Sequence, residues 1–165
     1  MSDSLQFVLQ QSVEDVLEKM FFIRSLDDAL EEPGLPEGDV KAHLTFDGEP
    51  SGFLTLRVTR EAARSISADF LGAEEGDLNE QQVGEVVCEL ANMICGSVLS
   101  RFESAVTFRL AQPELGEGDE HAEPASGTAG LRALHCVEIG GGNLTVAIHT
   151  EPLALRHGAA GAGAA

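Results

Sequence analysis

Residues 78–103 carry the pattern that most constrains the fold. At about 100° per residue, their apolar side chains fall within roughly 120° of a helical wheel: Val83, Val86, Val87, Leu90, Ile94 and Val98. A helix with one apolar stripe must bury that stripe against another layer of structure. Its start carries two possible capping boxes, Asp77 with Glu80 or Asn79 with Gln82.

The rest of the chain predicts two more helices and five strands. Helical spacing runs through 4–24, and a short helix over 60–71 is followed by Gly72 and an acidic run. Strands are predicted over 40–46, 52–59, 105–111, 131–138 and 143–150, with hairpin turns at 47–50 and 139–143. The order α-ββ-α-α-βββ predicts an α+β domain with long helices packed on a largely antiparallel sheet.

The chain length predicts one domain, which we place at residues 1–152 of 165. Within it, 113–130 is acidic and rich in Gly, Pro and Ala, so a long mobile loop is expected there. The Gly- and Ala-rich tail, 153–165, has little to bury and should be disordered. A faint internal repeat aligns 14–22 with 85–93 through Glu14/Glu85, Val16/Val87 and Glu18/Glu89.

Charge and cysteine usage exclude several functions. Ten Lys and Arg against 28 Asp and Glu give a net charge of −18, which disfavours nucleic acid and anionic membrane surfaces and favours a basic protein patch as partner. Cys88, Cys95 and Cys136 form no CxxC pair, so packing is expected rather than a disulfide framework or zinc site. The five histidines lack metal-ligand spacing. With no signal sequence and no membrane-length apolar run in view, we expect a cytoplasmic protein without membrane insertion.

The side of the long helix opposite the apolar stripe carries an unusual set of residues. Glu85, Glu89, Asn92 and Gly96 lie there, and Glu89 and Asn92 are neighbours because they are three residues apart. Asn costs about 0.7 kcal/mol and Gly about 1 kcal/mol relative to Ala in a helix interior. On spacing alone, a solvated helix face and a functional pair both remain open.

The residues around Glu89 and Asn92 favour the functional interpretation of this pair. The segment GEVVCELANMICGSVLSRF, with its Glu-x-x-Asn and following Gly, resembles the CheC/CheX/FliY family of chemotaxis phosphatases, and most closely the CheX branch. The resemblance extends to the first helix, which ends in Met20-Phe21-Phe22, and to strand 105–111 leading into Gln112-Pro113. It covers about residues 4–150.

The resemblance implies a phosphatase that hydrolyses the aspartyl phosphate of a CheY-type response-regulator receiver domain. Asn92 would orient the attacking water and Glu89 would contact the receiver's active-site lysine. An amide suits the first task because it both accepts and donates hydrogen bonds without changing charge. Glu85 and Gly96 would contact the partner, although Glu85 stands where a smaller Ser or Asp is expected. The receiver would supply Mg²⁺, and the chain would need no metal or cofactor of its own.

The resemblance also implies one site per chain and a homodimer, which could join edge strands into one sheet. Phe21 stands where a second asparagine would be, and Phe cannot position a water. A non-catalytic receiver-binding or scaffold subunit of a chemotaxis or flagellar-switch assembly is the alternative function. An acidic α+β domain with an unrelated partner is the third.

Overall fold

A computed structural model describes residues 2–20, 39–48, 51–102, 108–116, 130–139 and 142–151. The helices are α1 (Ser2–Met20), α2 (Arg60–Leu71) and α3 (Glu80–Phe102), and one 3₁₀ turn spans Glu75–Asp77. The strands are β1 (Val40–Asp47), β2 (Gly52–Val58), β3 (Arg109–Leu110), β4 (Glu114–Leu115), β5 (Arg132–Ile139) and β6 (Gly142–Thr150). The predicted α+β class is confirmed. The order of the described elements is α-ββ-α-α-ββββ, which has one strand, β4, more than the sequence predicts.

The six strands form one antiparallel sheet in the order β3-β1-β2-β6-β5, and β4 also pairs with β1. The β1–β2 pairing runs from Val40↔Val58 to Phe46↔Gly52, so the predicted first hairpin is present. The β5–β6 pairing ends at Ile139↔Gly142, which confirms the second.

All three helices pack on one face of this sheet. α1 contacts β5, α2 contacts β6, and α3 contacts β1 and β2 as well as both other helices. The strands alternate accordingly: their buried apolar side chains face the helices, as with Ala42, Leu44, Phe46, Leu54, Leu56, Val58, Leu144, Val146 and Ile148. No described helix covers the opposite face, which we call the helix-free face.

Local signals in the sequence explain the helix ends. The Gln82 backbone N–H donates to Asn79 Oδ1 at 2.8 Å, and the Asn79 N–H donates to Gln82 Oε1 at 3.0 Å. This capping box confirms the second of the two predicted pairs. The first is wrong, because Asp77 belongs to the preceding 3₁₀ turn. Gly72 ends α2 in the left-handed conformation, at φ 64°.

Two predicted boundaries need correction. The loop predicted over 113–130 begins with a short strand, because Glu114 and Leu115 pair with His43 and Ala42 of β1. A strand of two residues is too short to show the alternation of apolar and polar residues by which longer strands are recognised in a sequence. The first helix begins at Ser2 rather than residue 4.

Other predictions lie partly or wholly outside the described residues. Of the strand predicted over 105–111, the described part contains only Arg109–Leu110 as strand. Residues 21–24 of the predicted first helix, most of the acidic loop and the 153–165 tail also fall outside. The mobility predicted for the loop and the disorder predicted for the tail therefore stay predictions.

A side chain of α1 closes part of the outer edge of β5. Gln6 Nε2 donates to the Leu134 carbonyl oxygen at 2.6 Å, and the Leu134 backbone N–H donates to Gln6 Oε1 at 3.1 Å. One side-chain amide thus replaces the two hydrogen bonds that a neighbouring strand would make. Such cover protects an edge strand from pairing with other chains.

Helix α3 is the one helix in the described ranges that is long and apolar enough to cross a membrane. Its apolar stretch is instead 56% buried inside the protein. Val87, Leu90, Ile94 and Val98 are fully covered by the sheet and the other helices. The burial is that of a core helix.

Candidate functional site

The four residues singled out on α3 lie on the side of the helix away from the sheet. Glu85 and Glu89 are exposed, and Asn92 and Gly96 are half-buried. The six residues of the predicted apolar stripe are buried. The rotation of the helix that the sequence predicts is therefore confirmed.

An open groove of about 740 Å³ runs along this side of α3. Glu85, Cys88, Glu89 and Asn92 line it from the helix. The segment from Leu110 to Pro113, together with Leu115, forms the facing wall. Glu89 and Asn92 thus lie in a concave surface rather than on a bare helix.

The facing wall rests on a glycine of α3. A Cβ added to the buried Gly84 would clash with Leu115 Cδ1, so the Leu115 side chain packs into the space left by the missing side chain of Gly84. The β4–β1 pairing holds this wall from the other side. The sequence does not predict this part of the site, because residues 113–130 have the composition of a loop. The nearest signal was Gln112-Pro113.

The polar groups of the pair are available for contacts. Within the described residues, the Glu89 carboxylate and the Asn92 amide make no hydrogen bond or ion pair. Glu85 differs, because its Oε1 accepts a 3.2 Å hydrogen bond from Gln81 Nε2 one turn earlier. Free carboxylate and amide groups side by side can recognise a cation and hold a water molecule.

Gly96 continues the exposed side of the helix one turn beyond Asn92. Among the atoms that the structure describes, none lies within 4 Å of a Cβ built at this position. Packing within the described chain therefore does not require glycine there. The position leaves a flat area where another molecule could approach the backbone closely.

The cysteine thiols near the site have low reactivity. Burial raises the pKa of the Cys88 thiol, and the negative charge of Glu85 raises it further by a smaller amount. The thiol therefore stays protonated at neutral pH. Burial raises the pKa of Cys95 to about 12. Cys95 and Cys136 are buried free thiols, as the packing interpretation predicts. In the described ranges no group of three or more His, Cys, Asp or Glu could hold a metal ion.

The faint repeat places Glu18 and Phe21 at the positions of Glu89 and Asn92. Glu18 is exposed near the end of α1, but Phe21 lies outside the described residues. The inactive first site therefore stays a prediction.

Solved structures with this fold define the class of protein. CheX of Vibrio vulnificus matches with a TM-score of 0.69 and 21% identity, covering 92% of this chain and 99% of that one. CheX of Desulfovibrio desulfuricans matches with a TM-score of 0.66 and 23% identity, covering 90% and 99%. CheX of Borrelia burgdorferi, crystallised with CheY, BeF₃ and Mg²⁺, matches with a TM-score of 0.65 and 18% identity, covering 88% and 97%. The class is that of α+β domains built like CheX.

Sequence comparison narrows this class to a family. The sequence model of the family described as chemotaxis phosphatase CheX matches residues 40–133, which is more than half of the chain. The chain belongs to the CheX family, as its resemblance predicted. No curated protein sequence matches it.

Proposed function

We propose that the protein hydrolyses the aspartyl phosphate of a CheY-type receiver domain. The observation that carries the proposal is the placing of Asn92 and Glu89 side by side in the groove of α3, with no partner among the described residues. Membership of the CheX family supports it. So does the similar fold of a CheX that was crystallised with CheY.

Asn92 supplies the part of the reaction that the receiver lacks. Hydrolysis needs a water molecule held in line with the bond between phosphorus and the aspartyl oxygen. The carbonyl oxygen of the Asn92 amide accepts a hydrogen bond from this water. The orientation leaves a lone pair of the water directed at phosphorus. Positioning of this kind lowers the barrier because the entropy of bringing water and phosphorus together is lost on binding.

Glu89 fixes the position of the amide relative to the phosphate. It forms an ion pair with the lysine of the receiver's active site, one helical turn from Asn92. Mg²⁺ belongs to the receiver and neutralises charge on the phosphoryl oxygens. The phosphatase therefore contributes geometry and needs neither a nucleophile nor a cofactor of its own.

The groove gives the receiver a larger contact surface. Leu110 and Pro113 offer apolar contacts on the facing wall, and Gln81 and Gln112 offer hydrogen bonds. Glu85 and Gly96 extend the contact along α3. The exposed carboxylates of Glu85 and Glu89 favour binding to a receiver whose active site is surrounded by basic residues.

The decay of a phosphorylated, Mg²⁺-loaded receiver, with and without the protein, tests this function. We expect wild type to accelerate decay and Asn92→Ala to lower kcat by about 100-fold, the loss typical of misplaced reacting groups. Glu89→Ala should mainly raise KM, because it removes a charge-assisted contact. Glu61→Ala, at an exposed position in the first turn of α2, is the matched control.

The same assay separates the alternatives. Receiver binding without acceleration by wild type would favour the scaffold function. Absence of both, across several receivers, would reject the phosphatase and leave an acidic domain with another partner.

We also propose that the protein is cytoplasmic and forms a homodimer through edge strands. The eight-residue β5 is an edge strand whose alternate backbone groups point away from β6. A partner strand there must displace Gln6 from Leu134 or pair beyond it, at Cys136 and Glu138. Size-exclusion chromatography with light scattering measures the oligomeric state, and a monomer at working concentration would reject the dimer.

A further inference from the structure

The groove of α3 continues beyond the proposed catalytic pair. Glu85 lies seven residues before Asn92 and on the same side of the helix, because seven residues make almost two full turns. At about 1.5 Å per residue, the two positions are about 10 Å apart along the helix axis. We call this part of the groove, formed by Gln81, Gly84, Glu85 and Leu115, its outer end. A receiver whose phosphoryl group lies at Asn92 would meet the outer end with residues outside its own reaction centre.

The outer end is acidic on the side of the helix. The Glu85 carboxylate is exposed, and the hydrogen bond that its Oε1 accepts from Gln81 Nε2 limits the conformations it can adopt. Its negative charge acts within the groove, since it contributes to the raised pKa of the Cys88 thiol. The described lining of the groove contains no Lys, Arg or His. A cation that pairs with Glu85 inside the groove would therefore come from a partner.

The outer end is apolar on the opposite wall. Leu115 is 49% exposed, although its side chain packs into the space beside Gly84. Leu110 and Pro113 continue the apolar surface along this wall. Gly84 directly precedes Glu85 in the chain. A carboxylate and an exposed apolar side chain therefore lie at the same end of the groove.

Lys and Arg side chains have the chemistry that fits both sides, because each combines an apolar stem with a cationic head. We propose that the outer end selects the receiver by binding one of its Lys or Arg side chains, an inference that rests on the proposed function. The stem packs on Leu115 and the head pairs with Glu85, which Gln81 positions. This basic residue differs from the receiver's active-site lysine, because Glu85 lies one turn farther from Asn92 than Glu89 does. Receivers with the same reaction centre would then be distinguished by a residue outside it.

The affinity for a CheY-type receiver that carries Mg²⁺, with BeF₃ in place of the phosphoryl group, measures selection without hydrolysis. We expect Glu85→Gln to weaken binding by about fivefold, the upper range for an exposed ion pair, and Glu85→Lys by more than about tenfold, because like charges then meet. Leu115→Ala should weaken binding by about fivefold, because it removes apolar surface that the partner covers. Leu115→Met keeps a side chain of similar volume and should bind as wild type does. Glu61→Gln and Leu71→Ala, at exposed positions on α2, are the matched controls.

Coupling between the two proteins identifies the receiver residue. Each Lys or Arg that borders the receiver's active site is replaced by Gln in turn, and one replacement should cause no further loss when Glu85→Gln is present. Gln81→Ala should likewise weaken binding only while Glu85 is intact, which a merely structural effect of Gln81 would not show. In the dephosphorylation assay, the loss in Glu85→Gln should appear in KM rather than in kcat, since Asn92 and Glu89 are unchanged.

The outcomes separate this proposal from the phosphatase. Wild-type affinity in either Glu85→Gln or Leu115→Ala, or equal losses in the two control variants, would overturn the outer end as a selecting site even if decay is accelerated. The expected losses without any acceleration of decay would support the outer end and refute hydrolysis. If no receiver binds the wild-type chain, both proposals are overturned.

Discussion

Replacing Gly96 with alanine should stabilise the fold and weaken binding of the receiver at the same time. Gly96 lies inside the 23-residue helix α3, and an added Cβ meets no heavy atom of the described residues within 4 Å. The substitution therefore carries no clash, and the helix propensity of alanine sets its effect. We expect the free energy of unfolding to rise by about 0.4–1 kcal/mol. This corresponds to about 2–4 °C in Tm per kcal/mol for a chain of this size.

Receiver binding should become weaker in Gly96→Ala, although the fold becomes more stable. In the proposed complex, the added methyl group would occupy the space through which the receiver approaches the helix backbone. Inserting one carbon into a packed contact costs about 1–3 kcal/mol. We therefore expect the KM for the phosphorylated receiver to rise about tenfold, with kcat largely retained because Asn92 is unchanged.

Thermal unfolding and receiver dephosphorylation measured on the same preparation check both parts. Gly76→Ala is the matched control, because a Cβ there also meets open space but Gly76 lies outside the groove. Loss of stability in Gly96→Ala would refute the open-space argument. A higher Tm with unchanged KM would refute the contact with the receiver.

Three further predictions concern the groove wall, the core and the sheet edge. Gly84→Ala should displace Leu115 and lower receiver binding while the helix stays folded, as circular dichroism and the phosphatase assay can show. Burial raises the pKa of Cys95 from an ordinary 9.0 to about 12. The unfolded chain therefore loses this proton first, and stability should fall by about 1.4 kcal/mol per pH unit above pH 9. Urea unfolding at pH 8 and 10 measures the fall, and Cys95→Ala should reduce it. Gln6→Ala should expose the backbone of Leu134, lower stability by about 1–2 kcal/mol and increase self-association in light scattering; unchanged stability would show that this contact contributes nothing.

The sequence predicted the parts of the fold that show a periodic apolar pattern over many residues or a local capping or turn signal. The stripe from Val83 to Val98 fixed the rotation of α3, and therefore the exposed position of Glu89 and Asn92. The Asn79–Gln82 cap also follows from neighbouring residues, although only the structure could choose it over Asp77 and Glu80.

The parts that were missed depend on contacts between distant residues. β4 has two residues, and it is a strand only because β1 offers it an edge. The groove wall needs Leu115 to meet Gly84, which lies 31 positions earlier in the chain. The grouping of side chains on the helix-free face depends on the register of four strands, which no local pattern around Lys41 or Arg132 reveals.

Helix α3 carries the proposed catalytic pair on one side and residues of the centre of the core on the other. Local opening of Asn92 therefore requires Leu90, Ala91 and Ile94 to leave the core. The backbone amides around Asn92 should exchange with solvent only through global unfolding, unlike those of a mobile binding loop. In the proposed reaction, the position of Asn92 would then be set before the receiver binds, and adaptation to different receivers would depend on the opposite wall of the groove.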